Sequence, residues 1–104
     1  MNFQKLLKEA KKAQQKAAEV QEKLEEMTVT GSAGGGLVEV TANGHARIIA
    51  INLKPEAVDP EDVEALEDLI LVAIQDAQSK AAELAEKEMG GSLGDVGGML
   101  GGLF

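Results

Sequence analysis

The sequence predicts an α+β fold: a long N-terminal helix, a small three-stranded antiparallel sheet, a long C-terminal helix and a Gly-rich tail. Three observations carry this. Apolar residues recur at helical spacing over residues 3–27. Two alternating runs flank Asn43-Gly44, and a second helical pattern covers residues 59–89. Residues 1–89 make one small domain, with residues 90–104 as a flexible appendage. Phe3 and Phe104 are the only aromatic residues, so the core must be aliphatic.

The first element is marked by Phe3, Leu6, Ala10, Ala13, Ala17, Val20, Leu24 and Met27. Their spacing alternates between three and four, which is a heptad seam. No Gly or Pro interrupts it, and Ala, Lys, Gln and Glu are good helix formers. The middle of the seam is alanine, so it allows close approach to another helix but buries little area.

Residues 28–53 read as the sheet. Val38, Val40 and Ala42 alternate with Glu39 and Thr41, and Ile49, Ile51 and Leu53 share one face of the next run. Asn43-Gly44 between them predicts a two-residue type I′ hairpin, whose central positions need positive φ. "TVTGS" before them is a candidate third, shorter strand. A sheet this thin has to be covered by a helix or by another copy of itself.

The second helix is predicted to start at Asp59 as N-cap, with Pro60 in the first helical position and Glu61, Asp62 and Glu64 favouring the N-terminus. Val63, Leu66, Ile70, Ala73, Ile74, Ala77, Ala81 and Leu84 recur at helical spacing, and Gly90-Gly91 is the expected stop. The tail "GGSLGDVGGMLGGLF" carries too much glycine to hold regular structure alone. Its apolar residues leave two readings open, a docking segment or a frayed end. At 1.5 Å per residue the helices span roughly 37 and 45 Å, against about 26 Å for an eight-residue strand. Both overrun the sheet, and a heptad seam on an overhanging helix predicts a homodimer.

Several chemistries are excluded by residue type. The chain has no cysteine, so disulfides, thiolate metal sites and cysteine nucleophiles are out, which fits a reducing cytosol. No apolar run approaches a membrane span, and the lysine-rich start lacks the apolar region of a signal peptide. "GSAGGG" is not a phosphate loop: Leu37 and a strand follow Gly36, where a Lys and a helix are required. It reads as a strand connection. His45 is the only histidine and has no second ligand to complete a metal set. Ser32, Ser79 and Ser92 lack a base nearby in sequence. The run "PEAVDPEDVEALEDL" lacks the alternating acids and turn glycine of a calcium loop and reads as capping plus an acidic solvated face. No catalytic constellation, cofactor or small-molecule substrate is expected.

Charge is the informative feature. The net charge is -8, yet five of the ten basic residues, Lys5, Lys8, Lys11, Lys12 and Lys16, lie in one short segment with a single Glu9. Residues 1–18 carry +4 and residues 55–104 carry -10. Lys5, Lys8 and Lys12 share a helical face. Lysine is a flexible point charge suited to backbone phosphates and not to base edges. The alternative is a solvated coiled-coil flank. Arg47 alone could fork onto guanine, and the lack of Trp and Tyr argues against base-stacking modules.

Taken together, the segments resemble the YbaB/EbfC family of bacterial nucleoid-associated proteins. The resemblance runs over essentially the whole chain. It rests on the order and spacing of the lysine-rich helix, "AGGG" at residues 33–36, Asn43-Gly44, "DPEDVEALEDLI" at residues 59–70, and the Gly-rich tail ending in "LF". It implies helices projecting from a dimeric sheet body and no catalytic residues. It also implies binding of double-stranded DNA in the cytoplasmic nucleoid, with transcription modulation for some members. By position, Lys5, Lys8, Lys11, Lys12 and Lys16 would be the DNA contacts. Gln4, Gln14 and Gln15 could assist, while Lys23 is set apart by its acidic neighbours. Two other readings stand beside it: a scaffold dimer that recruits proteins through its seam and tail, and an RNA-helix binder using the same lysines.

Overall fold

The computed structural model describes the backbone of residues 2–101 and the side chains of residues 2–90. Helix α1 (Phe3–Glu26) leads into three strands, β1 (Thr28–Ala33), β2 (Val38–Asn43) and β3 (Ile48–Leu53). A short 3-10 turn (Pro55–Ala57) then precedes helix α2 (Val63–Gly101). The sheet is antiparallel in the order β1-β2-β3. "TVTGS" is thus a full strand, as long as its neighbours.

The core is small and aliphatic. Val38, Val40 and Ala42 of β2 and Ala33 of β1 are buried against Ala73 and Ala77 of α2, with Leu66, Ile70 and Ile74 packed around them. The alternation in β2 therefore points its apolar residues at α2. Helix α2 packs mainly on β1 and β2. On β3, Ile51 and Leu53 are the cross-strand partners of Val40 and Val38, so they share the helix-side face, yet they stay exposed, as does Ile49. The sheet is half covered.

Close packing on β1 has a specific origin. A Cβ added at Gly31 would overlap the backbone of Ala73 and Ala77. The stripe Ala73, Ala77 and Ala81 is fully buried, and small residues on both sides let strand and helix meet backbone to backbone. Side chains of α2 also reach the β1 edge. The Ser32 N–H donates to Asp76 Oδ2 (3.0 Å), and Lys80 Nζ donates to the Thr30 carbonyl (3.1 Å) and pairs with Asp76 (3.2 Å). These bonds occupy main-chain groups that an edge strand otherwise leaves open.

The structure corrects three sequence expectations. First, α2 begins at Val63 and not at Asp59. Asp59 closes a turn, accepting from Glu61 N–H on its side chain and from Asp62 N–H on its carbonyl. Asp62 is the cap, its Oδ1 accepting from the Ala65 N–H three residues on. Pro60 fits such a turn as well as it fits a helix start.

Second, the Asn43-Gly44 connection is not a two-residue type I′ turn. Ala46 N–H donates to Asn43 O, and Ala46 itself has φ 63°. This is a three-residue loop with its left-handed residue last. Asn43 is buried, and its Oδ1 accepts from the His45 and Arg47 N–H groups, which holds the loop in that form. A bulge follows at Ile49, because Thr41 pairs with Ala50 while Ala42 pairs with Ile48.

Third, the backbone of α2 stays helical past Gly90-Gly91 to Gly101. Each glycine costs about 1 kcal/mol relative to alanine but keeps both hydrogen-bonding groups, so the ladder can continue. Docking of the apolar tail residues falls outside the described side chains, and residues 102–104 fall outside the described backbone.

Candidate nucleic-acid interface

Helix α1 starts where Asn2 caps it, its Oδ1 accepting from the Lys5 N–H (3.4 Å). From Asn2 to Glu19 every side chain is exposed; Val20 is half-buried and Leu24 is the one buried side chain of the helix. Residues 2–19 therefore form an arm that leaves the body of the protein. Its heptad seam is bare along the arm: Phe3, Leu6, Ala10, Ala13 and Ala17 all face solvent.

Lys5, Lys8, Lys11, Lys12 and Lys16 all lie on this arm, and all are exposed. At 3.6 residues per turn, Lys5, Lys8, Lys12 and Lys16 fall within about 80° of one another, a stripe roughly 16 Å long. Lys11 lies to one side. Among the described residues, none of the five takes part in an ion pair. Lys23 continues the stripe but is paired with Glu88 (2.9 Å). The positive field therefore increases away from the body. Arg47 ends the 43–47 loop and is exposed.

The arm is held at its base. Gly44 N–H donates to the Leu24 carbonyl (2.8 Å) and the Met27 carbonyl (3.1 Å), taking up carbonyls that a helix end leaves without intrahelical partners. His45 Nε2 lies 3.0 Å from the Gln21 carbonyl. A carbonyl only accepts, so that nitrogen carries the proton. The sequence marked His45 as a lone, exposed histidine; its partner is 24 residues away, and nothing in the local pattern signals it.

Among the described residues no group of His, Cys, Asp or Glu could hold a metal ion, and no helix is long and apolar enough to cross a membrane.

A model of the YbaB/EbfC DNA-binding family matches residues 1–96. The chain belongs to the YbaB/EbfC DNA-binding family. A nucleoid-associated protein of Thermus thermophilus is 71% identical over the full length of both chains. A nucleoid-associated protein of Pelotomaculum thermopropionicum is 46% identical, covering 99% of this chain and 96% of that one. The family and these relatives are named for DNA and the nucleoid, not for an enzymatic reaction. Among solved structures, an uncharacterized protein from Helicobacter pylori superposes with a TM-score of 0.77 at 22% identity, over 89% of this chain and 98% of that one. It shares the YbaB/EbfC fold of two helices flanking a three-stranded sheet.

Proposed function

We propose that this YbaB/EbfC protein binds duplex DNA in the nucleoid as a homodimer, through Lys5, Lys8, Lys11, Lys12 and Lys16 on two projecting arms. The observation that carries it is the arm itself: an exposed helical segment whose lysine stripe makes no ion pair among the described residues, on a chain that is otherwise strongly acidic. In a dimer the five lysines become ten. The acidic α2 keeps the rest of the surface off the polyanion and so restricts how DNA is held. Modulation of transcription would follow from occupancy of the duplex.

Self-association is supported by the half-covered sheet. Ile49, Ile51 and Leu53 form an apolar strip on β3, and a second copy would remove it from water. The β1 edge carries bonds from Asp76 and Lys80, which leaves β3 as the open side.

Salt dependence tests the phosphate reading. If about six to eight phosphates are contacted, log K against log salt has a slope near -5 to -7. A slope near zero would refute it. The exposed seam favours a second reading, a scaffold dimer that recruits protein partners. That reading predicts that deletion of residues 1–18 leaves any DNA binding unimpaired.

A further inference from the structure

We infer that the 43–47 loop and Glu88 form a socket that sets the direction of the lysine arm, making Gly44, His45 and Glu88 positioning residues for DNA binding. This rests on the DNA reading above. Along the arm every side chain from Asn2 to Glu19 is exposed, and among the described residues its long-range hydrogen bonds and ion pairs fall at its base. Among the described residues, the contacts that hold its direction are those of residues 20–27. Those contacts come from two separate elements. The loop supplies the Gly44 N–H to the Leu24 and Met27 carbonyls and the His45 ring to the Gln21 carbonyl. Helix α2 supplies Glu88 to Lys23.

The loop meets the helix without a gap. A Cβ at Gly44 would lie 2.6 Å from the Leu24 carbonyl oxygen and 2.9 Å from its Cα. Gly44 is thus needed for close approach and not for an unusual φ, since the left-handed residue of this loop is Ala46. Leverage makes the contacts matter. Lys8 lies 13 residues from Gln21, roughly 20 Å along the helix. A tilt of about 10° at the socket would shift Lys8 by on the order of 3 Å, enough to lose a direct ammonium–phosphate contact. The His45 bond needs a donor at Nε2, because a carbonyl only accepts.

The test uses the absence of native cysteine. Nitroxide labels at Glu9→Cys and Glu39→Cys report the arm-to-sheet distance. Dilution with unlabelled chain confines the signal to one protomer. The wild-type socket gives one narrow distance distribution, and His45→Ala with Glu88→Gln broadens it while the helical circular dichroism is kept.

The same pair of substitutions, without labels, is titrated with fluorescent duplex. Glu88→Gln removes a negative charge, so charge alone would strengthen binding. The socket predicts the opposite. If the loosened arm is in register about a fifth of the time, affinity falls about fivefold, with the salt slope unchanged because the same phosphates are met. His45→Gln, which keeps a donor, recovers much of the loss.

A variant that binds as tightly as wild type would overturn the socket, whether or not the distances broaden. A wild type that binds no duplex would overturn the DNA reading and the positioning role with it, and the distance measurement tells the two failures apart.

Discussion

Gly31 in β1 lies against the backbone of Ala77 in α2, with no space for a Cβ between them. This contact holds the strand and helix at backbone distance and closes the core around Val38 and Val40. Gly31→Ala should destabilise the fold by about 3 kcal/mol, the upper range for overpacking, because rigid backbone and not a flexible side chain must move. Gly35→Ala is the contrast. An added Cβ there meets open space, but φ is 67°, so the cost should be only about 1 kcal/mol of left-handed backbone strain. Urea midpoints of the two variants should fall in that order. The reverse order would mean the β1–α2 contact is not the tight one.

Asp76 predicts a pH dependence. The Ser32 N–H, with the Lys80 ammonium behind it, holds the Asp76 carboxyl below its ordinary value near 3.8. A carboxyl depressed in the folded state contributes stability that is present above its ordinary value and lost as pH falls through the folded one. Asp76→Asn keeps an acceptor for Ser32 but loses the charge. The variant should be less stable than wild type at neutral pH, with the difference shrinking as pH drops through the acid limb. A difference that stays constant with pH would show that the charge is not what matters.

Ala46 sits at φ 63°, where glycine is at ease and alanine is strained. Ala46→Gly should stabilise the chain by about 0.5–1 kcal/mol, the relieved strain less the entropy glycine adds to the unfolded chain. Thermal unfolding checks it. A loss of stability would mean the Ala46 methyl makes a packing contribution larger than its strain.

Ile51 is 48% exposed on the helix-side face of β3. Ile51→Asp should cost an isolated chain little stability. In the proposed dimer it should split the particle, because it puts a charge into the strip that the second copy covers. Light scattering should give twice the chain mass for wild type and a single chain for the variant at micromolar concentration. A wild type with the mass of one chain would refute the dimer.

Elements that depend on local pattern were legible in the sequence. The alternation of Val38, Val40 and Ala42 marks β2, and the unbroken seam of α1 marks a helix whatever it packs against. Exposure of Lys5, Lys8, Lys12 and Lys16 also followed, because the stripe runs off the seam. Choices between locally equivalent options were not legible. Asp59 and Asp62 are both good caps, and only the turn closed by Asp59 decides between them. Asn43-Gly44 has the residues of a type I′ turn, but the buried Asn43 side chain stabilises a longer loop through His45 and Arg47. Long-range pairs left no local trace at all. The bonds from His45 to Gln21 and from Lys23 to Glu88 exist only because the loop, α1 and α2 converge at the base of the arm.

DNA binding by the lysine arm is tested by titrating one fluorescent duplex with wild type and with the Lys8→Glu, Lys12→Glu double variant, at low and at moderate salt. Both substitutions fall on the exposed arm, so the fold should be unaffected. Phosphate binding by the arm predicts salt-sensitive wild-type binding that the variant loses, by a similar factor for unrelated duplex sequences, because phosphate contacts carry no sequence information. A variant that binds as tightly as wild type, or a wild type that binds no duplex at low salt, would contradict it.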